Sequence, residues 1–177
     1  TVAAVLLLLL APLLGVVALL VRLDLPGPVL FRQQRIGRGG RPFAIFKFRS
    51  MVVNASQLGG FSTQKGDPRI TRVGRLLRRS SLDELPQLLN VLYGDMSLVG
   101  PRPDVPAQQS LYSPRDWQLR CSVRPGITGL AQASLRSEAT PEQRLELDLL
   151  YVRRQSLFLD LQVLALSAGQ VLFRGGF

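Results

Sequence analysis

Two adjacent carboxylates, Asp83 and Glu84, follow a run of five arginines at Arg69, Arg72, Arg75, Arg78 and Arg79. No acid stands between the first and last of them. A carboxylate pair at the end of so much positive charge points to chemistry on an anion. The chain has no histidine, so acid–base work falls to Asp, Glu, Lys or Tyr. Cys121 is alone, which excludes an intrachain disulfide and a cysteine-rich zinc site. A glycosidase reading fits poorly, because neighbouring residues seldom achieve the carboxylate separation needed across a sugar ring. Further on, Arg102 lies between Pro101 and Pro103. Two fixed backbones around one guanidinium suit bidentate grip of a phosphate. Arg124, next to Pro125, repeats the pattern.

The 177 residues make about one domain with an appendage, and carry 22 Lys+Arg against 12 Asp+Glu. Such a chain binds nucleic acid, an acidic membrane surface or a phosphorylated substrate. The appendage is the uncharged stretch 1–21, which as a helix reaches roughly 31 Å, enough for a bilayer core. Its basic residues follow rather than precede it, which argues against a cleaved signal peptide. Pro12 sits mid-way and predicts a kink at Ala11–Pro12. Length favours a spanning helix over one that enters and leaves by the same face. The flanking Arg22, Arg32, Arg35, Arg38 and Arg41 place the rest on the cytoplasmic side. The chain begins at Thr1 rather than Met, which fits a piece of a longer protein.

The elements that must position the carboxylates read as follows. Residues 29–31 and 43–49 flank a glycine-rich tip and predict two short strands. Lys47 and Arg49 then share a face, as a solvated edge or a phosphate grip. Residues 52–66 are polar loop, and 67–69 a turn. Residues 70–80 predict a helix with Arg72, Arg75 and Arg79 in one stripe. Leu85, Leu88, Leu89 and Leu92 predict a helix stopped at Gly94. Its start is either a capping box of Ser81 and Glu84 or a cap at Asp83 with Pro86 in the first turn. Residues 94–106 read as rigid loop, and 107–123 contain a short helix. Thr140, Pro141 and Gln143 open a helix to about Arg154. The apolar stretch 156–173 either closes the core or lies in the membrane interface.

Six segments stand in one order: Gly27-Pro28-Val29-Leu30-Phe31, Lys47-Phe48-Arg49-Ser50-Met51, Asp67-Pro68-Arg69-Ile70-Thr71, Ser81-Leu82-Asp83-Glu84-Leu85-Pro86-Gln87, 94–103 and 124–132. Together they resemble the monotopic phosphoglycosyl transferases, bacterial sugar transferases, over nearly the whole chain. The resemblance implies transfer of a phospho-sugar from a UDP-sugar to polyprenyl (undecaprenyl) phosphate, releasing UMP. It implies that Asp83 is the nucleophile and forms a covalent phospho-sugar intermediate, with Glu84 completing a catalytic dyad. It implies Mg2+, with Asp83 as a metal ligand. Arg78, Arg102 and Arg124, and also Lys47, Arg49 and Arg69, are the candidates to bind substrate phosphate.

The fold it implies is mainly α with short β or extended segments. Residues 1–25 would be a kinked, re-entrant membrane helix, displacing the spanning reading, although the serine usual before the proline is here Ala11. Residues 26–177 would be a cytoplasmic catalytic domain of α/β type on the membrane interface. The expected location is the bacterial inner membrane, with membrane lipids as partners, no nucleic acid, and a homo-oligomer left open. The alternative is a membrane-anchored basic nucleic-acid-binding protein.

Overall fold

The computed structural model describes residues 2–60, 63, 66–135 and 140–170 with side chains, and the backbone of 171–174. Phe61, Ser62, Gln64 and Lys65 of the expected 52–66 loop lie outside the described residues, as do the side chains of 171–173.

Helix α1, Val2–Asp24, runs without a break through Ala11 and Pro12. Leucine and valine surround its axis, and it stays exposed at Leu8, Leu9, Val16 and Leu19. Only a narrow face turns inward. Val17 and Val21, each 2% exposed, pack with Phe48 and Leu77 in one core. Side chains from both sides of residue 25 therefore share that core.

Strands β1, Leu30–Ile36, and β2, Pro42–Phe48, form the expected antiparallel hairpin, pairing Leu30 with Phe48 and Ile36 with Pro42. Gly39 and Gly40 turn its tip with positive φ, which costs glycine no steric strain. The polar segment after β2 contains one short helix, α2, Ala55–Leu58. Helix α3, Arg72–Arg79, starts at Thr71, whose hydroxyl accepts from the Gly74 N–H. At Gly74 the helix lies so close to Ser50 that any Cβ would collide with the Ser50 carbonyl.

Helix α4, Gln87–Tyr93, ends at Gly94 with φ 87°, a left-handed cap that favours glycine. Its start follows neither expected cap. Ser81 is left-handed (φ 56°) and makes no capping bond, and Leu82–Glu84 form a separate 3-10 turn. Pro86 itself takes the N-cap. Proline has no N–H to place, so the chain closes one tight turn and begins the helix after it. Of the leucine stripe, Leu88 is buried, but Leu92 is exposed; the polar Gln87 and Asn90 are buried instead.

The segment expected as rigid loop holds a strand, β3, Ser97–Val99. Helix α5, Pro114–Arg120, precedes β4, Gly126–Thr128, which pairs with β3 in parallel. Three residues are too few to give a legible alternation. Helices α6, Leu130–Leu135, α7, Pro141–Arg154, and α8, Leu157–Arg174, complete the chain. The Thr140–Gln143 capping box of α7 forms as expected. Val163 of α8, fully buried, joins Val99, Ala133 and Tyr151 in a second core. Leu157, Phe158 and Leu161 of the same helix stay exposed. The molecule is thus mainly helical, with two separate two-stranded sheets rather than one sheet layered with helices.

Candidate active site

Asp83 and Glu84 sit on the 3-10 turn between α3 and α4, with β2 alongside. Asp83 is buried, at 8% exposure. Among the described residues no hydrogen bond or ion pair closes on its carboxylate. Glu84 is the opposite case. Its Oε1 accepts from Lys47 Nζ at 2.6 Å and Arg102 Nη2 at 3.0 Å. Burial alone would raise the Glu84 pKa, but the Arg102 and Lys47 charges overcome it and hold the group down at about 2. Asp83 moves the other way. Burial pushes its carboxyl up, the Glu84 charge adds to this, and Lys47, Arg78 and Arg102 only partly offset it. One acid is fixed as a permanent anion; its neighbour is a buried, unpartnered and more basic carboxylate.

The Lys47–Ser50 segment builds much of this. Lys47, near the end of β2, turns to Glu84. Arg78 of α3 reaches back, donating from Nε to the Ser50 hydroxyl at 2.9 Å. Its charge acts on Asp83. Arg102 is placed through its backbone. Arg120 Nη2 donates to the Arg102 carbonyl at 2.6 Å, and Arg35 Nη1 to the Pro103 carbonyl at 3.0 Å. Arg120 is itself held by an ion pair with Asp104 and another with Asp148 at 2.8 Å. Gly100 and Gly126 cross so closely that a Cβ on either would strike the other segment's backbone. The Arg102 loop is thereby fixed from both sides.

The remaining expected phosphate ligands are not brought to the dyad. Arg49 falls just past the end of β2, so the shared face with Lys47 is lost. Its guanidinium turns to α1 and donates to the carbonyls of Val21 (3.1 Å), Pro26 (2.9 Å) and Leu25, a favourable place for a cation at a helix C-terminus. Arg69 binds the Asp67 carboxylate and the carbonyls of Ala55 and Gly60, pinning the segment after β2. Arg124 is exposed and lines a separate cleft of about 550 Å3 with Arg38, Arg41 and Asp95. The Arg72, Arg75 and Arg79 stripe faces outward.

Sequence reasoning missed three residues. Arg35, counted there only as a juxtamembrane charge, lines one space with Gln87, Lys47 and Arg102. Asn90 is fully buried and clamps β2, accepting from the Phe46 N–H at 3.0 Å and donating to the Ala44 carbonyl at 2.8 Å. The available signal was two polar residues, three apart, inside a leucine-rich helix.

A buried aspartate and a partly buried glutamate set among cations, in a chain with one long apolar helix, define a class suited to anionic substrates. The chain belongs to the bacterial sugar transferase family, whose pattern it matches over residues 1–174. It is 49% identical over 168 residues to the UDP-glucose:undecaprenyl-phosphate glucose-1-phosphate transferase of Caulobacter vibrioides, covering 91% of this chain and 63% of that protein. It is 45% identical over 172 residues to the Escherichia coli protein of the same description, covering 93% and 37%. To the UDP-N-acetylgalactosamine-undecaprenyl-phosphate N-acetylgalactosaminephosphotransferase of Aeromonas hydrophila it is 44% identical over 161 residues, covering 86% and 37%. The chain thus spans between about a third and two thirds of the length of these relatives.

Proposed function

We propose that this chain transfers a sugar 1-phosphate from a UDP-sugar to undecaprenyl phosphate, the first membrane step in assembling a bacterial glycan. An Asp83 oxygen attacks the phosphorus that bears the sugar. The bond from that phosphorus to UMP breaks, and UMP leaves with the electron pair. An oxygen of undecaprenyl phosphate then attacks the same phosphorus, the bond to Asp83 breaks, and the carboxylate is restored. Two displacements let two bulky substrates use one site in turn. The observation that carries this reading is the asymmetry of the dyad: Glu84 is clamped by Lys47 and Arg102 while Asp83 is buried without a partner among the described residues.

Anion attacking anion needs neutralisation. Lys47, Arg78, Arg102 and Arg35 stand against Asp83 and Glu84, leaving a surplus of positive charge suited to a diphosphate. Such preorganised groups each contribute about 3 kcal/mol to the barrier reduction. The hard oxygens of the dyad fit Mg2+, which takes one or two carboxylates and completes its shell with phosphate and water; Asp83 is the ligand we expect. When bound, the ion would neutralise diphosphate charge.

We further place α1 in the cytoplasmic leaflet of the inner membrane, bent at Ala11–Pro12 and returning to the same face, with the domain on the interface. Its apolar surface, exposed at Leu8, Leu9, Val16 and Leu19, supports insertion, and a shallow anchor would hold Asp83 near headgroup height. Relatives are named for glucose and for N-acetylgalactosamine, so UDP-glucose is the first donor to test. The decisive experiment supplies purified protein with Mg2+, undecaprenyl phosphate and labelled UDP-glucose, then a panel of UDP-sugars. Asp83→Asn should release no UMP above background and trap no label. Robust turnover by that variant overturns the reading.

A further inference from the structure

Among the described residues, two buried donors next to the Lys47 and Arg102 clamp have no acceptor: Gln87 Nε2 and Arg35 Nε. Gln87 opens α4 and is 2% exposed. Arg35 has both terminal nitrogens engaged, by the Pro103 carbonyl at 3.0 Å and Gln33 Oε1 at 2.7 Å, so its Nε alone is free. Both line one space with Lys47, Arg102 and Pro103. The space is too tight in this structure for a water between them, and folds rarely leave buried N–H groups orphaned. Two of them in one space, beside cations, call for an oxygen that arrives with a ligand. Arg102 is the gate that must yield to it. Its side chain is 45% exposed and, among the described residues, its guanidinium bonds Glu84, whereas Pro101 and Pro103 on either side are buried.

We propose that Gln87 and Arg35 donate to a non-bridging phosphoryl oxygen of the substrate, in a subsite opened when Arg102 swings outward. This rests on the transferase reading above. The ligand chemistry is a phosphate oxygen, and it has two sources: the diphosphate of the nucleotide sugar or the phosphate of the lipid.

Gln87 is the cleaner probe, because Arg35 also holds the Pro103 carbonyl. Gln87→Leu keeps the volume and removes the donor. Gln87→Glu keeps the shape and replaces the donor with an anion. Each full chain is placed in lipid nanodiscs beside wild type, and three quantities are read: the UMP burst from UDP-glucose without undecaprenyl phosphate, steady turnover with it, and Tm. Gln87→Leu should lower kcat/KM by roughly 10- to 100-fold, the loss of one hydrogen bond to a charged group. Its Tm should hold or rise, because an orphaned donor has been replaced by an apolar group. Gln87→Glu should lose more. A defect in the burst assigns the oxygen to the nucleotide; an intact burst with slow turnover assigns it to the lipid. Wild-type kinetics in Gln87→Leu, or a loss of activity that follows a loss of Tm, overturns the inference. If wild type releases no UMP from any UDP-sugar, the transferase reading itself fails, and calorimetric UDP-glucose affinity still tests the subsite: equal affinity in wild type and Gln87→Leu overturns it.

Discussion

Glu84 and Asp83 are neighbours in the chain and differ in what surrounds them. If Glu84 exists to hold Lys47 and Arg102 off the nucleophile, Glu84→Gln releases both cations toward Asp83. Phosphoenzyme formation should then fall roughly 100- to 1000-fold, on the scale of losing one preorganised electrostatic group. The UMP burst rate with UDP-glucose measures it, and a burst within twofold of wild type would count against the asymmetry. Ser81 is the second residue with a definite expectation. Its φ of 56° costs a side chain roughly 1–2 kcal/mol, and such strain gathers at functional turns. Ser81→Val should destabilise by at least that amount, while Ser81→Gly should be neutral or stabilising, read by thermal unfolding. The adjacent acids after an arginine run marked Asp83 and Glu84 in the sequence, and two flanking prolines marked Arg102. Arg49, Arg69 and Arg124 were candidates too but are taken up by a helix end, an aspartate and another cleft. Residue type announces a charge; only packing says what it is spent on.

The elements around the dyad are held by buried charge as much as by apolar contact. Arg120, 7% exposed, joins α5 to α7 through Asp148 and to the Arg102 loop through Asp104. Arg120→Met leaves two buried carboxylates facing each other. Breaking such a cluster costs about 3–5 kcal/mol, on the order of 10 °C in Tm, and transfer should fall with it. A calorimetric Tm unchanged within a degree or two would show the triad to be dispensable. The Asp67–Arg69 pair predicts a local pH response. Its hydrogen bonds to Arg69 hold Asp67 at about 2, below the usual 3.8. A lowered folded pKa means the pair's support is complete above pH 4 and disappears as pH falls through 2. Amide exchange at Val52–Leu58, corrected for intrinsic rates, should accelerate in that window, and Asp67→Asn should abolish the step. Helices α3 and α4 were readable from period, the end of α4 from Gly94, the start of α7 from its capping box, and the hairpin from its glycines. Strands β3 and β4 were not, since three residues carry no period and their pairing depends on the close approach at Gly100 and Gly126.

At the scale of the whole molecule, the apolar helix is not a detachable anchor. Val17 and Val21 of α1 complete the core of Phe48 and Leu77. A protein lacking residues 1–25 should therefore show no cooperative unfolding transition and should bind apolar dyes, even in detergent. A sharp transition in that truncation would support two independent units split at residue 25. The uncharged N-terminal run made the helix legible, but nothing in its composition revealed that one of its faces packs into the core with Phe48 and Leu77. Arg49 adds a second tie, joining the carbonyls at the end of α1 to a residue two positions from Lys47. With the helix seated in lipid as proposed, rocking of that helix would be felt two residues from the ammonium group that holds Glu84. Turnover should then respond to the acyl-chain length of the surrounding phospholipid.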